Sequence, residues 1–260
     1  VADRLPLRAL IGCEMSGRVR DAFARRGWEV WSADILPSES PDWETVGGGT
    51  ARHYQGDVRD LFKWRHPVNR VRERQALFRS TGELPLWDFF AGFPPCDHLS
   101  LAGARYWAEK RMERYDPATR LILPSLQDEA AGFFMDMIRA PAAHVAVENP
   151  RGDMTRRYRA PDQYVEPWWF GDPLKKKIGL WLNDLPQLTA DIPVEPTGRV
   201  ATGGGSHRTD IAAGRGKQNG NEDGEGRKKR KIVRSRTSTQ VARAMADQWG
   251  PYLEDLYRDR

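Results

Sequence analysis

The chain of 260 residues is poor in cysteine, with only Cys13 and Cys96. Two thiols cannot build a disulfide framework or an all-cysteine zinc site, so cysteine chemistry must come from a single thiol. Long apolar runs are also missing. None approaches the roughly 18 residues needed to cross a bilayer, so no membrane span is expected. The opening residues VADRLPLRALIG lack a long apolar core before a small-residue cleavage site, and no secretory signal is expected. Nor does one charge dominate: 41 Lys and Arg face 36 Asp and Glu, a formal +5. What is present, 39% hydrophobic and 30% charged residues with a mean hydropathy of −0.69, predicts a soluble globular chain. It is long enough for one large domain, or one domain with an appendage. The small positive excess is local. Residues 1–200 hold 28 basic and 28 acidic side chains, whereas 201–260 hold 13 and 8. Residues 227–236 (RKKRKIVRSR) contain seven basic residues in ten, a strip suited to phosphate or another polyanion.

Residues 8–11 (RALI) form a short apolar run that stops at Gly12. Val19, Phe23 and Ala24 follow at helical spacing up to Gly27, and a second run, 28–33 (WEVWSA), ends at Asp34. Strand, glycine turn, helix, strand and acidic residue is the grammar of a nucleotide-binding α/β unit. Gly56-Asp57-Val58 closes another short strand, and 86–93 (LWDFFAGF), 144–147 (HVAV) and 177–182 (KIGLWL) read as further strands. Residues 125–138 carry apolar side chains at helical spacing. The alternation predicts a doubly wound, mostly parallel α/β sheet with helices on both faces. Two stretches break the rhythm. Residues 38–54 are polar and glycine-rich and read as loop, and 200–231 are low in complexity and read as flexible. Residues 239–253 then return to an amphipathic helix with Val241, Ala244, Met245 and Trp249 on one face. The division expected is a body of 1–182, a short flexible basic and glycine-rich insert of 183–233, and a closing helix in 234–260.

Residues 88–103 (DFFAGFPPCDHLSLAG) carry the most chemistry. Pro94 and Pro95 stiffen the chain just before Cys96 and fix the thiol at a strand's carboxyl end, the edge where open α/β sheets bind ligands. Asp34, Asp57 and Glu148 also end apolar runs. Cys13 reads as a small core or loop residue with no role.

These segments, in their order along the chain, resemble the cytosine-C5 DNA methyltransferase family, in the compact variant of small bacteriophage proteins. Pro95-Cys96 followed by Ser100 and Ala102-Gly103 is similar to its nucleophile loop. Residues 11–17 (IGCEMSG) resemble its cofactor loop, and Glu148-Asn149 its Glu-Asn-Val signature with Pro150 in third place. Residues 170–177 (FGDPLKKK) resemble its Gly-x-Pro-Gln-x-Arg-x-Arg segment, and 235–249 (SRTSTQVARAMADQW) its closing helix.

The resemblance implies a Rossmann-like S-adenosylmethionine-dependent fold with a reduced target-recognition region. The cofactor would be held by Gly12, Glu14, Ser16, Gly17, Asp34, Ile35, Asp57, Val58, Pro94, Ser235 and Arg236. Cys96, Glu148 and Lys176 would be catalytic. Ser100, Arg105, Asn149, Arg156, Arg157 and Arg234 would meet the substrate. The implied partner is double-stranded DNA with its cytosine flipped out, with no membrane, metal or obligate protein partner, in the cytoplasm of a bacterial cell.

The residue types suit that chemistry. Cytosine C5 is a poor nucleophile until a thiolate adds at C6, and cysteine is reactive near neutral pH and leaves again by elimination. A carboxyl group at N3 and the exocyclic amine stabilises the developing charge, and Glu148 is the candidate. Amino-methyltransferases place an aromatic residue after Pro-Pro, so the thiol in Phe93-Pro94-Pro95-Cys96 favours carbon methylation. Other readings stay open. The substrate is RNA, a single strand or a free nucleotide in one. In another, Arg234 and Arg236 pair with an extra carboxylate, so that carboxy-S-adenosylmethionine donates a carboxymethyl group. In a third, the chain is a nucleic-acid-binding relic of the fold. Asp97 stands where the family has Gln, lysines replace its arginines, and the insert is too short for a rigid reading domain. Low sequence specificity is therefore expected, or recognition through 105–123 and 155–163.

Overall fold

Side chains that alternate between two cores define the central strands of the computed structural model, which describes residues 6–63, 87–199 and 236–258. In β1 (Arg8–Gly12), Ala9 and Ile11 enter one core and Leu10 the other. The remaining strands in chain order are β2 (Glu29–Asp34), β3 (Trp43–Glu44), β4 (Thr50–Gln55), β5 (Trp87–Gly92), β6 (Arg114–Asp116), β7 (Leu121–Leu123), β8 (Ala142–Pro150), β9 (Gln163–Val165), β10 (Leu174–Lys175), β11 (Ile178–Asn183) and β12 (Gly198–Arg199). The helices are α1 (Arg18–Ala24), α2 (Trp107–Lys110), α3 (Leu126–Ile138), α4 (Met154–Arg157) and α5 (Thr239–Leu256).

Eight strands form one sheet in the order β3-β4-β2-β1-β5-β8-β11-β9. The middle five in that order, β4, β2, β1, β5 and β8, are parallel, β3 and β11 run antiparallel to them, and the edge strand β9 pairs antiparallel with β11 and so runs with the middle five. Val19 and Phe23 of α1 share a core with Val241, Met245, Trp249 and Leu253 of α5. Phe134 and Met137 of α3 cover the other face with Phe90, Val145 and Trp181. The protein is an α/β fold with a mostly parallel mixed sheet, compatible with a Rossmann-like arrangement. Among the described residues, no helix is long and apolar enough to cross a membrane.

The structure departs from the sequence reading in two stretches. Residues 38–54, expected as loop, contain β3 and most of β4, which pairs with β2 from Glu29↔Thr50 to Asp34↔Gln55. Only Ala51 of β4 is fully buried, so its polar outward side chains hide the strand in the sequence. Residues 183–199, assigned above to a flexible insert, pack against α5. Leu188 is buried, Thr189 N donates to Gln248 Oε1 at 2.8 Å, Trp249 Nε1 donates to Pro186 O at 2.8 Å, and Arg243 pairs with Asp191 at 2.9 Å. The rest of that insert, 200–233, lies outside the described residues, as do Arg234 and Ser235.

Candidate active site at the carboxyl edge of the sheet

The chain winds from β1 toward β2 and β4 on one side and from β5 toward β8 on the other, so the sheet order reverses between β1 and β5. Ligands bind at such a switch point, outside the carboxyl ends of the strands. Gly12 ends β1 under tight packing, because a Cβ there would sit 3.0 Å from the Phe90 ring and 3.1 Å from Val58. Val58 is itself buried and acts by packing. The turn that follows is held by Cys13 N and Glu14 N, which both donate to Ala33 O at 2.7 and 3.3 Å. Gly17 has φ +72°, and a Cβ there would lie 2.5 Å from that of Ser40, so only glycine fits. Glu14 is 3% exposed. Its Oε1 accepts from Arg18 N at 3.0 Å and from the Ser16 hydroxyl, while its Oε2 has no hydrogen-bond partner among the described residues. Burial pushes the Glu14 carboxyl above the usual carboxylate range.

The two acids of this side differ. Asp34 ends β2, accepts from Leu36 N at 2.9 Å and is pushed up by burial, with Ile35 exposed beside it. Asp57 is gripped by the Arg59 guanidinium at 3.0 and 2.6 Å, which holds its carboxyl below the usual range. The start of α5 meets the glycine loop: Arg18 Nη1 donates to Thr237 O at 2.7 Å. Arg236 pairs with Glu39 at 2.5 Å, and Glu39 N donates to Met15 O at 2.8 Å. A hollow of about 430 Å³ adjoins Asp57, lined also by Arg59, Phe62 and Asp136; Cys96, Glu148 and Lys176 do not line it.

On the other side of the switch point, Phe93 N donates to Gly12 O at 2.9 Å and holds the two loops together. Cys96 O accepts from Leu99 N at 3.1 Å and Ser100 N at 2.9 Å in a tight turn. Asn149 Nδ2 donates to Pro94 O at 3.0 Å, tying the proline loop to β8. Asn149, expected to contact substrate, is therefore a buried residue that positions the loop. Ser100, expected to do the same, is buried, and its backbone bridges to Gly152.

Strand β11 runs antiparallel to β8 with Leu180 opposite Glu148, so the chain just before β11 passes over the end of β8. Lys176 Nζ thereby lies 4.0 Å from Glu148 Oε1, on a side chain 13% exposed. That oxygen has no hydrogen-bond partner among the described residues. Burial raises the Glu148 carboxyl, and Lys176 opposes the shift. The Cys96 thiol is raised by burial and then by Glu148, and is lowered by Lys176. Thiol, carboxyl and ammonium are thus within electrostatic reach of one another.

Two buried residues missed by sequence reasoning support this site. Asp153, fully buried, pairs with Arg156 at 3.1 Å, Arg111 at 3.6 Å and the Arg157 Nε. Arg157, expected to meet substrate, is also bound to Asp128 at 2.6 Å. Gln127 accepts from Arg111 Nε at 2.7 Å and donates to His98 O at 3.1 Å. Asp153 N donates to Leu99 O at 2.7 Å, so the loops after Cys96 and Glu148 are joined by backbone as well. The spacing of Asp153, Arg156 and Arg157 on one helical turn is a signal that could have found the first. Gln127 offers none, because its partners lie 16 and 29 residues away. Arg105 remains exposed over the Tyr106 ring at 4.7 Å, and Arg156 keeps an exposed outer edge.

No family model matches the chain, and no curated protein matches it. The geometry alone defines the class: a Rossmann-compatible α/β protein with a glycine loop on one side of its switch point. On the other side stands a thiol grouped with a carboxyl and an ammonium.

Proposed function

We propose that this protein transfers a methyl group from S-adenosylmethionine to C5 of cytosine in DNA, through a covalent bond between Cys96 and C6. The observation that carries the reading is the grouping of Cys96, Lys176 and a Glu148 whose Oε1 lacks a hydrogen-bond partner among the described residues. Unsatisfied buried polar atoms are costly, and they persist where a ligand completes them.

The residues of the other loop suit the cofactor. Glu14 Oε2 is a buried acceptor with no hydrogen-bond partner among the described residues, fit for an ammonium, and Asp34 at the end of β2 suits ribose hydroxyls. The backbone of 13–17 and Arg18, fixed by Gly12 and Gly17, would hold the rest. When bound, the cofactor supplies an electrophilic methyl group. The chain's own work is on the base. Cys96, deprotonated, bonds to C6, and the ring's electron pair moves toward C5. Glu148, its carboxyl raised by burial, donates its proton to N3 and accepts from the exocyclic amine so that the developing charge is stabilised, and Lys176 keeps the thiol closer to ionisation than burial alone would. Once C5 carries the methyl group, its proton passes to water, and the electron pair left behind restores the C5–C6 double bond and expels Cys96 as the thiolate. Because C6 is inaccessible to a thiolate inside the stack, the base must leave the helix. Arg236 already has its charge matched by Glu39, which favours methyl over carboxymethyl transfer.

The test is incubation with labelled S-adenosylmethionine and duplex DNA, single-stranded DNA, tRNA and dCMP in parallel. Wild type is expected to label duplex DNA with a gain of one methyl per modified cytosine, and Cys96→Ala to label nothing. A duplex carrying 5-fluorocytosine is expected to trap the wild-type chain covalently. Absence of label on every substrate, or full activity in Cys96→Ala, overturns the reading. Label on tRNA or dCMP alone moves the same chemistry to another substrate.

A further inference from the structure

The turn that carries Asp34 is held from the neighbouring strand. Three successive carbonyls, of Asp34, Ile35 and Leu36, each accept a hydrogen bond from the end of β4. Gly56 N donates to Asp34 O at 2.8 Å, Gln55 Nε2 to Ile35 O at 3.3 Å, and His53 Nε2 to Leu36 O at 3.1 Å. Leu36 N in turn donates to Asp34 Oδ1 at 2.9 Å. One carboxylate oxygen is thus engaged by its own turn, and the aim of that N–H depends on how residue 36 is held.

Of these three donors, His53 is anchored most deeply in the sheet. The register runs Val30↔Ala51, Ser32↔His53, Asp34↔Gln55 along one face, so that face changes from apolar to polar as it nears the carboxyl edge. Val30 and Ala51 belong to the core under α1 and α5. Ser32 is fully buried, and its Oγ lies 2.9 Å from His53 Nδ1. A carbonyl oxygen can only accept, so Nε2 carries the ring proton, and Nδ1 of the neutral ring accepts from the Ser32 hydroxyl. Burying a hydroxyl and an imidazole is costlier than burying two aliphatic side chains. What the pair provides is one tautomer and one ring orientation, aimed at the turn. Charge works in the same direction: burial raises the Asp34 carboxyl, and the Leu36 N–H and then His53 oppose that shift.

We propose that His53 is a positioning residue for the cofactor. Through Leu36 it fixes the Asp34 carboxylate for the ribose hydroxyls of S-adenosylmethionine, and Ser32 fixes His53. This rests on the methyl-transfer reading and extends the cofactor site to a pair of side chains within the sheet. The line of contacts is Ser32, His53, Leu36, Asp34, so Ser32 acts on the carboxylate through the ring.

The experiment measures binding of S-adenosylhomocysteine to the full chain by calorimetry, which reads the cofactor site without a nucleic acid. His53→Gln and His53→Asn are compared, because the amide nitrogen of glutamine falls near the place of Nε2 and that of asparagine near Nδ1. His53→Asn is expected to lose about tenfold in affinity, the size of one lost hydrogen bond. His53→Gln is expected to stay within about threefold of wild type. Ser32→Ala, which keeps the ring but frees its tautomer, is expected to fall between them, and it keeps the test readable where His53→Asn melts early. In labelling of duplex DNA, His53→Asn is expected to raise the KM for S-adenosylmethionine about tenfold while kcat stays within about twofold of wild type. Wild-type affinity in both His53→Asn and Ser32→Ala overturns the proposal. Equal losses in His53→Gln and His53→Asn that follow their melting temperatures also overturn it, by making His53 a residue of fold stability alone. So does a fall in kcat with KM unchanged. A wild type that binds no S-adenosylhomocysteine overturns the methyl-transfer reading itself, and the role of His53 with it.

Discussion

The two cysteines stand at the carboxyl ends of neighbouring parallel strands, Cys13 directly after β1 and Cys96 four residues after β5, yet their surroundings make them different groups. Cys13 is pushed far above the ordinary thiol range by burial and then by Asp34 and Asp57, with Arg59 opposing them. Its side chain packs against the core that contains Leu10, Ala33 and Val58. Cys96 is also raised by burial and by Glu148, but Lys176 stands beside that carboxyl and lowers the thiol. Position at the ligand-binding edge is shared. What separates the two thiols is that the cation near Cys96 stands beside a carboxyl oxygen with no hydrogen-bond partner among the described residues, and under the proposed function that makes Cys96 the nucleophile.

The largest effect that breaks this comparison is removal of each thiol in turn. Cys96→Ala is expected to abolish methyl transfer and 5-fluorocytosine trapping, whereas Cys13→Ala retains both, read by labelling and by denaturing gel. Next in size, Glu148→Gln is expected to lower the rate about 10²- to 10⁴-fold while duplex binding by gel shift is kept. Equal activity for that variant and wild type would remove Glu148 from the chemistry.

Lys176→Met sharpens the comparison through pH. The ammonium lowers the Cys96 thiol, so its loss moves the alkaline rise in Cys96 alkylation by iodoacetamide to higher pH. The Cys13 peptide in the same digest is expected to show no shift, because Lys176 is not among the charges acting on it.

The smallest effect lies on the helical face away from the edge. Burial raises the Glu254 carboxyl, but hydrogen bonds from Arg26, at 2.9 and 2.8 Å, and from Trp28 Nε1 outweigh it and leave the group below its usual range. A depressed carboxyl contributes stability above its unfolded pKa and loses it as pH falls through the folded value. Arg26→Ala is expected to cost no more than about 1 kcal/mol at neutral pH, because the pair is partly exposed, and less in acid. Denaturant melts at two pH values measure it, and neither thiol's reactivity is expected to change.

Much of the parallel body was legible because each buried strand is a run of apolar residues with a stop: Ile11 to Gly12, Ala33 to Asp34, and Ala91 to the prolines before Cys96. Strand β4 was legible only as a short strand before Gly56, while 50–54 read as loop, since Ala51 is its one fully buried residue and strand identity there comes from hydrogen bonds to β2. Asn149 was read as touching substrate for its place beside Glu148, but its amide belongs to Pro94, 55 residues away. Arg157 looked free within an arginine-rich stretch, but Asp153 and Asp128 hold it.

The sequence by itself determined the strands that end in chemical groups, the rigid Pro-Pro-Cys turn and the neutral charge of residues 1–200, because each is written in adjacent residues. Tertiary structure alone decided which charges meet. Of three consecutive lysines, Lys177 lies over the Tyr164 ring at 4.6 Å, Lys175 is exposed in β10, and Lys176 reaches Glu148. That choice follows from the antiparallel register that sets Leu180 opposite Glu148, a pairing between segments 32 residues apart. No local pattern encodes it, since register is fixed by the packing of whole strands across the sheet.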